Sequence, residues 1–343
     1  MGDRIGIVGA SGYAGGELIR LVDAHPGLDL QFLGAHSRVG EPLGSVHPHL
    51  SGGDRTLESL DALQAADVDL VFLALPHGAS AEPAFQLATA GVKVVDLGSD
   101  YRMDSASRYE AAYGSDHAYP EELGSWAYGL PELFGEAVAD ADRVAAPGCY
   151  PTAALLALGP LVANGVVASS GIVVDAVSGV SGAGRSAKPA LMFGSVAEGA
   201  AAYGVLTHRH RPEIEQGLEM LAKSSASVVF TPHLIPMQRG LLATCYADVA
   251  PGVGSDEVTA VLSSAYDKTP FVSVVEVPPQ TRWVVGSNRC LVSVAVDERT
   301  GKVVVLSAID NLVKGAAGQA VQCANLMLGI EEAAGLPLDG WMP

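Results

Sequence analysis

Short apolar runs rich in β-branched residues alternate with helical patterns through the first 150 residues of the chain. These patterns predict a strand at residues 4–8, a helix at 16–24 and a fully buried strand at 68–75. The alternation is typical of parallel βαβ units, whose right-handed crossovers build a doubly wound α/β domain with ligands at the carboxyl ends of its strands. The other elements predicted here are a strand at 28–35, a helix at 79–90 and a strand at 92–97.

The pattern changes after Cys149, where strands outnumber helices. This excess of strands over helices predicts an α+β domain with a mixed or antiparallel sheet. The length of 343 residues favours two domains, at about 150 residues each. We expect them at residues 1–150 and 151–315, with a closing segment at 316–343 whose helix, at 316–329, returns to the first domain. In the second domain we predict strands at 172–177, 227–231, 241–249, 271–277, 290–296 and 302–309, and helices at 151–163, 212–222 and 255–266.

Composition and charge exclude several classes of protein. The 20 Lys and Arg residues against 38 Asp and Glu give a net charge of −18, which argues against nucleic acid or an anionic membrane as partner. We find no apolar run near the ~20 residues of a membrane span, and Asp3-Arg4 before a glycine-rich turn does not fit a signal peptide. Four widely spaced cysteines predict neither a disulfide framework nor a metal site. We therefore expect a cytoplasmic protein that acts on a small molecule.

A glycine-rich loop, Gly9-Ala-Ser-Gly-Tyr-Ala-Gly15, joins the first predicted strand to the first helix. Glycines let the backbone approach a phosphate, and the N-terminus of the helix offers free N–H groups and a partial positive charge. The spacing G-x-x-G-x-x-G differs from the usual G-x-G-x-x-G, so an ordinary tight turn is the alternative. The position of the loop favours a dinucleotide site, and the residues that we expect to hold the cofactor are Gly9, Ser11, Gly12, Tyr13, Ala14 and Gly15.

The end of the second strand indicates which dinucleotide binds. NAD-specific sites place an acidic residue there to bind the ribose 2′-hydroxyl. This chain has His36-Ser37-Arg38 instead, and the hydroxyl and guanidinium of Ser37 and Arg38 suit a 2′-phosphate. We therefore predict NADP(H), with the alternative that Arg38 is a solvated loop residue.

Cys149 lies in Ala146-Pro-Gly-Cys-Tyr-Pro-Thr152, directly before an apolar helical pattern. Pro151 suits the first position of that helix, which places Cys149 at its N-terminus. Free N–H groups and the helix dipole lower the pKa of a thiol there, and the thiolate is the nucleophile. Cys245 and Cys323 instead lie within apolar patterns typical of inert core cysteines. A cysteine nucleophile beside a nicotinamide site indicates an aldehyde dehydrogenase that forms an acyl-enzyme.

The stretch from Val144 to Pro160 resembles the active-site signature of the N-acetyl-gamma-glutamyl-phosphate reductases, most specifically in Pro-Gly-Cys149-Tyr-Pro-Thr. The related aspartate-semialdehyde dehydrogenases typically carry Asn where this chain has Gly148, and the Ser-Cys-Thr-Thr-Asn run of the glyceraldehyde-3-phosphate dehydrogenases is absent. One small departure is Gly98-Ser99, where many members have Ser-Ala. Further blocks resemble the family in the same order, at residues 9–15, 75–78, 96–102, 128–132, 207–210 and 310–317.

This resemblance implies a Rossmann-type NADP-binding sheet followed by an α+β catalytic and dimerisation domain of the glyceraldehyde-3-phosphate dehydrogenase-like kind. It implies NADPH-dependent reduction of N-acetyl-L-glutamyl 5-phosphate to N-acetyl-L-glutamate 5-semialdehyde with release of phosphate, the third step of arginine biosynthesis, through a thioester on Cys149. It also implies a homodimer or homotetramer assembled through the sheet of the second domain.

The catalytic acid and base is expected to be a histidine, because its pKa lies near neutral pH. The resemblance places it in Thr207-His-Arg-His210, and we take His210 first and His208 second, with Glu213 as an orienting group. On an extended segment the two histidines would face the same way, so a metal pair is conceivable, but no third ligand is evident and we expect no metal. His47-Pro-His49 is the runner-up and is more simply structural.

The substrate carries a carboxylate and a phosphate, so arginines are expected in its pocket. Arg102 and Arg185 are the arginines that we expect to bind it, with Glu213 beside them, and the other loop candidates are Arg209, Arg211, Arg239 and Arg282. The resemblance also implies that the cofactor touches Leu75, Pro76, Ser181, Gly182 and Asn311.

Two alternative functions stay open at this point. One is the same chemistry on a related acyl phosphate, either an aspartyl or an aminoadipyl compound. The other is a non-catalytic NADP-binding sensor in which Cys149 is a redox switch, although such a sensor would not need the histidine-rich loop.

Overall fold

A computed structural model of the chain describes residues 2–342. The chain divides into two compact units. One contains residues 2–147 together with Ala316–Leu336, and the other contains Gly148–Gly315 and residues 337–342. Within residues 2–342 we find no helix with the length and apolar character that crossing a bilayer requires.

The first unit alternates strands and helices around a six-stranded sheet. Its elements up to Pro147 are β1 (Asp3–Val8), α1 (Tyr13–Asp23), β2 (Leu28–Gly34), α2 (Leu43–Val46), β3 (Leu70–Leu73), α3 (Ala81–Thr89), β4 (Lys93–Asp96), α4 (Ala106–Tyr113), β5 (Ala127–Tyr128), α5 (Pro131–Ala139) and β6 (Arg143–Ala145). The strand order is β2-β1-β3-β4-β6-β5, and neighbouring strands pair in parallel. β3 is buried along its whole length, as expected for a parallel strand covered on both faces. The predicted doubly wound parallel sheet is confirmed.

The second unit is built on a seven-stranded mixed sheet, which confirms the α+β prediction. Its elements are α6 (Cys149–Ala163), β7 (Ile172–Ser178), α7 (Phe193–Val196), β8 (Ala201–Ala202), α8 (His210–Ala222), β9 (Val228–Leu234), β10 (Leu241–Asp248), α9 (Ser255–Tyr266), β11 (Val272–Val274), β12 (Cys290–Asp297) and β13 (Lys302–Ile309). The strand order is β11-β12-β13-β10-β7-β9-β8. Antiparallel pairs dominate, and β11–β12 and β7–β9 pair in parallel.

Helix α6 is the central helix of the second unit and is buried from Tyr150 to Val162. Pro160 lies inside this helix and lacks the N–H that would bond to the carbonyl of Leu156. The hydroxyl of Tyr266, at the end of α9, donates to that carbonyl over 2.6 Å instead. The helix therefore continues to Ala163 with the freed carbonyl satisfied.

The chain returns to the first unit after a short π-helix at Val313–Ala317. Helix α10 (Gly318–Met327) follows and packs against α1, α5 and β4, all in the first unit. The residues after Leu336 leave this unit: the N–H of Asn288 donates to the carbonyl of Pro337, and the N–H of Trp341 donates to that of Val285. The predicted closing segment is thus divided: its helix lies in the first unit, as expected, and the residues from Pro337 pack with the second unit.

Several element boundaries differ from those predicted. α1 begins at Tyr13 rather than Gly16, because the last part of the glycine loop forms its first turn. α6 begins at Cys149, so Pro151 is its third residue, which is tolerated because N–H groups of the first turn have no partner inside a helix. α8 begins at His210 rather than Pro212. β3 spans Leu70–Leu73, shorter than the predicted strand at 68–75.

Candidate active site

Cys149 is the first residue of α6, and its half-buried thiol is not part of a disulfide. Gly148 precedes it as the N-cap in an extended conformation, with φ −68° and ψ 156°. The hydroxyl of Thr152 donates back to the carbonyl of Gly148 over 3.0 Å, which fixes the first turn. The thiol therefore lies at the positive end of a fifteen-residue helix dipole, where the thiolate is favoured.

The first turn of α8 lies against the start of α6. Oε1 of Glu213, which is fully buried, accepts the N–H of Gly148 over 2.8 Å. One turn further along α8, Gly217 packs against Leu155, and a Cβ at Gly217 would lie 2.5 Å from the Leu155 side chain. The absence of a side chain at Gly217 thus lets α8 approach α6 closely. His210 lies three residues before Glu213, on the same face of α8.

His208 and His210 do not lie on an extended segment, contrary to the prediction. His210 is the first residue of α8, and its backbone N–H donates to Nδ1 of His208 over 3.1 Å. The two rings lie edge to face, 4.7 Å apart. Burial, with a contribution from Arg209, lowers the pKa of His208 to about 4, so this imidazole is neutral at pH 7. Within residues 2–342 no group of three or more candidate metal ligands is found.

An aromatic cluster surrounds His208. The hydroxyls of Tyr150 and Tyr203 lie 3.0 Å apart, and both rings contact His208 edge to face. Phe230 of β9 completes the cluster, 5.3 Å from the His208 ring. Burial raises the pKa of Tyr150, and nearby Tyr203 and Cys149 add to the shift. The sequence reasoning missed Tyr203, because it lies in an irregular exposed segment that carries no periodic signal.

The loop after β13 supports Cys149 from another direction. A Cβ at Gly315, in the π-helix, would lie 2.7 Å from Cβ of Cys149, so the backbone of Gly315 packs directly against the cysteine. The buried carboxylate of Asp310 accepts the N–H groups of Gly286 and Leu312, over 2.7 and 2.8 Å, and holds this loop. Gly315 lies within residues 310–317, which resemble the family, but its contact with Cys149 has no signal in the sequence.

Three residues predicted for the cofactor come together in the second unit. The side-chain amide of Asn311 donates to the hydroxyl of Ser181 over 2.9 Å, and its oxygen accepts the N–H of Gly240 over 2.8 Å. Gly182 lies next to this amide, since a Cβ there would be 3.7 Å from Nδ2 of Asn311. Arg185 follows in the same loop and is exposed.

The glycine loop is in the first unit and has the geometry of a phosphate cradle. Gly9 has φ +90°, and a Cβ there would lie 2.7 Å from the carbonyl carbon of Ala74. Gly15 packs against the backbone of Ala10. Gly12 is the N-cap of α1 and provides no side-chain hydrogen bond, so the predicted residues Ser11 to Gly15 present the N-terminus of an eleven-residue helix.

The other predicted residues of the first unit lie in loops after its strands. Ser37 and Arg38 are exposed after β2, and Arg38 pairs with Glu41 over 2.9 Å. Leu75 is half-buried and Pro76 exposed after β3. Arg102 is buried and donates to the carbonyl of Leu97 over 2.9 Å.

The runner-up histidine His47 lies against the glycine loop. Its Nε2 is 2.9 Å from the carbonyl of Ala10, and its ring packs on Gly16. This contact gives His47 a structural role in holding the loop, in agreement with the simpler of the two interpretations of the sequence.

Comparisons with known proteins agree with this geometry. Residues 4–141 match the family model "Semialdehyde dehydrogenase, NAD binding domain", and residues 149–311 match "Semialdehyde dehydrogenase, dimerisation domain". The chain is 46% identical to a protein of Synechocystis sp. named N-acetyl-gamma-glutamyl-phosphate reductase, over 99% of this chain and 98% of that one. It is 45% identical to the protein of the same name from Desulforamulus reducens, over 99% of each chain.

Solved structures show the same fold at low sequence identity. Aspartate semialdehyde dehydrogenase II of Vibrio cholerae has a TM-score of 0.74 and 20% identity, and the match covers 96% of this chain and 99% of that one. The aspartate semialdehyde dehydrogenase of Candida albicans, a structure with NADP, has a TM-score of 0.66 and 16% identity over 96% and 99%. The two relatives at 45–46% identity match nearly the whole chain, so they assign it to a narrower family than the shared fold does. The chain belongs to the N-acetyl-gamma-glutamyl-phosphate reductase family, whose members are oxidoreductases of the semialdehyde dehydrogenase type.

Proposed function

We propose that this chain performs the N-acetyl-gamma-glutamyl-phosphate reductase reaction of arginine biosynthesis through a covalent thioester on Cys149. The thiolate attacks the acyl carbon of N-acetyl-L-glutamyl 5-phosphate, the C–S bond forms and phosphate leaves. Reduction of the thioester gives a thiohemiacetal, which collapses to the semialdehyde and returns the thiolate. The observation that carries this proposal is the position of Cys149 at the start of α6, with Glu213 bonded to the N-cap peptide directly before it.

His210 is the group that we assign to proton transfer. It lies one turn from Glu213 on the same face of α8, and its ring contacts that of Tyr150, the residue after the nucleophile. His210 would protonate the oxyanion of the thiohemiacetal and take that proton back on collapse. His208 suits a positioning role, because its Nδ1 is occupied by the N–H of His210. Glu213 suits an orienting role, because its carboxylate accepts the N–H of Gly148, the residue before the nucleophile.

The residues of the first unit fit a dinucleotide with a 2′-phosphate. Gly9 and Gly15 leave no space for side chains, and α1 presents uncapped N–H groups, which together form a cradle for a diphosphate. When bound, NADPH would supply the hydride for the thioester. Ser37 and Arg38 follow β2, where they can bind the 2′-phosphate, and we assign Leu75, Pro76, Ser181, Gly182 and Asn311 to the cofactor as well.

Arginines suit the anionic ends of the substrate, and we assign Arg102 and Arg185 to this role. Assembly into a homo-oligomer is also part of the proposal. Half-buried or exposed apolar side chains line the outer face of the second unit's sheet, on the side opposite α6: Val173, Val177, Leu242, Tyr246, Val304 and Leu306. A second copy of the chain would cover this face, in line with the matched dimerisation domain.

The experiment that tests the proposal compares three semialdehydes, as substrates of the reverse reaction, and variants of the nucleophile. Phosphate-dependent reduction of NADP is measured with N-acetylglutamate, aspartate and aminoadipate semialdehydes, and we expect the highest kcat/KM with the first. Cys149→Ser should lose about a thousandfold or more in kcat. When N-acetyl-L-glutamyl 5-phosphate is supplied without NADPH, intact-protein mass spectrometry should show an acylated wild-type protein. Retained activity in Cys149→Ser would exclude the thioester, and a preference for aspartate or aminoadipate semialdehyde would assign the related reaction.

A further inference from the structure

Two buried carboxylates lie at the carboxyl end of β4, close to the loop that follows β3. Asp96 and Asp100 are both fully buried. The hydroxyl of Ser80 lies between them, 3.0 Å from Oδ2 of Asp96 and 2.9 Å from Oδ2 of Asp100. A hydroxyl has one proton to donate, so it can donate to only one of these oxygens. The other carboxyl group must then donate a proton to the Ser80 oxygen, or the contact is a repulsion between two acceptors.

The remaining contacts show which carboxyl group carries the proton. Asp100 is surrounded by donors: Oδ1 accepts the N–H of Gly78 over 2.8 Å, and Oδ2 accepts those of Ser80 and Ala81 over 3.0 Å each. Oδ1 of Asp96 accepts the N–H of Gly98 over 2.7 Å, whereas the hydrogen-bond partner of its Oδ2 is Ser80. Asp100 is therefore the acceptor, and Oδ2 of Asp96 is the atom placed to donate.

We propose that Asp96 and Asp100 share one proton through Ser80, with Asp96 neutral, and that the pair positions residues 75–81 for cofactor binding. Asp100 binds three backbone N–H groups of this loop and of the first turn of α3, directly after Leu75 and Pro76. This inference rests on the proposed function in one respect, namely that Leu75 and Pro76 contact the cofactor.

The surroundings of the pair favour a single negative charge. Burial raises the pKa of Asp96 to about 7, the Gly98 N–H opposes this shift, and the charge of Asp100 adds to it. A side chain at residue 98 would collide with the pair, since a Cβ there would lie 2.7 Å from Oδ1 of Asp96. The charged and titratable groups that face the pair are His77, 2.9 Å from Oδ1 of Asp100, Arg102, His117, Tyr101 and Tyr109.

Two conservative variants separate the roles of the carboxyl groups. Asp96→Asn supplies an N–H to Ser80 and a carbonyl to Gly98, so it imitates the neutral acid. Asp100→Asn replaces one accepting oxygen with an NH2 group, whose N–H donors would face the backbone N–H groups of the loop. Ser99→Ala is the matched control, because it removes the contact of Ser99 with His77, over 2.9 Å, and leaves the acid pair intact.

Cofactor affinity is measured by fluorescence titration of the full chain with NADPH, which needs no turnover. We expect Asp96→Asn and Ser99→Ala to bind NADPH within about twofold of wild type, and Asp100→Asn to bind about tenfold more weakly or worse. From pH 6 to 8.5 the wild type and Ser99→Ala should lose affinity as Asp96 ionises, while Asp96→Asn should not. Equal losses in the two Asn variants, or an unchanged pH dependence in Asp96→Asn, would overturn the proposal.

A measurement on the wild-type protein tests the shared proton even if a variant fails to fold. Infrared spectroscopy of the protein with carbon-13-labelled aspartate should show the C=O band of a protonated carboxyl group at pH 6, and this band should disappear near pH 7 to 8. Its absence at pH 6 would refute the shared proton. Because neither the titration nor this band depends on reductase activity, a failure of the proposed function would leave both results interpretable.

Discussion

The backbone N–H of His210 donates to Nδ1 of His208 over 3.1 Å, so one histidine of this motif holds the first residue of the helix that carries the other. An acceptor at Nδ1 assigns the proton of neutral His208 to Nε2. The low pKa of His208 agrees with this neutral state. The two histidines therefore have different tasks, and replacing each of them should give different results.

His210→Asn should lower kcat by about 10²- to 10⁴-fold, because a general acid and base is removed. His208→Asn should retain most of the activity, since the side-chain oxygen of Asn can accept the N–H two residues on. His208→Ala should lose more activity than His208→Asn, because no acceptor remains. Steady-state kinetics with saturating NADPH measures all three, and a larger loss in His208→Asn than in His210→Asn would reverse the assignment.

The pKa of His208 also predicts how stability depends on pH. It is lowered to about 4 in the folded chain, against about 6.5 in an unfolded one. Between these values the unfolded chain binds a proton that the folded chain does not, so stability falls as the pH falls through this window. Relative to His208→Asn, the wild type should lose melting temperature from about pH 6.5 down to about pH 4, with a constant difference above pH 7. A constant difference across the whole range would contradict the lowered pKa.

Gly315→Ala should disturb the nucleophile without disturbing the first unit. Its Cβ would lie 2.7 Å from Cβ of Cys149 and 3.3 Å from Cα, so the helix start or the π-helix must move, at a cost of about 1–3 kcal/mol. We expect a lower kcat with an unchanged affinity for NADPH. Gly135→Ala is the control, because open space surrounds Gly135 in α5 and Ala favours a helix there. Equal kcat values for the two variants would show that Gly315 does not position Cys149.

Local sequence signals predicted where the helices and loops of the site begin better than they predicted its supporting contacts. The backbone preferences of the glycines after β1 predict a phosphate-binding loop. The preference of Pro151 for the first turn of a helix predicts that Cys149 lies at the N-terminus of α6. The helix start at His210 escaped the same reasoning, because Pro212 appeared to mark it. There the side chain of His208 binds the N–H of residue 210, and only the folded loop brings the two together.

Long-range partners could not be predicted from patterns. The contacts of Glu213 with Gly148 and of Ser80 with the two aspartates join residues 16 to 65 positions apart in the chain. Tyr203 lies in an exposed segment whose residues have no period, so nothing in the sequence indicated its contact with Tyr150. Fold class follows from periodicity, whereas such contacts depend on how particular helices and loops meet.

Arg38 should determine the choice of cofactor, even though it pairs with Glu41 in this structure. Arg38→Ala should weaken NADPH binding by about tenfold or more, the loss expected for a hydrogen bond between charged groups, and should leave NADH binding unchanged. Glu41→Gln should strengthen NADPH binding slightly, because the carboxylate no longer competes with the phosphate for the guanidinium. Titrations with both cofactors measure this, and equal losses for NADPH and NADH would exclude a role for Arg38 in 2′-phosphate recognition.

The hydroxyl of Tyr266 should stabilise the fold chiefly because Pro160 has no N–H to donate. This hydroxyl satisfies the buried carbonyl of Leu156, which Pro160 leaves without its helical N–H. Tyr266→Phe should cost about 1–3 kcal/mol in the wild type, the penalty for a buried unsatisfied carbonyl. In a Pro160→Ala background the new N–H can bond to Leu156, so the same substitution should cost much less. Chemical denaturation of the four proteins gives the coupling energy. Additive effects of Tyr266→Phe and Pro160→Ala would show that the hydroxyl does not replace the missing N–H.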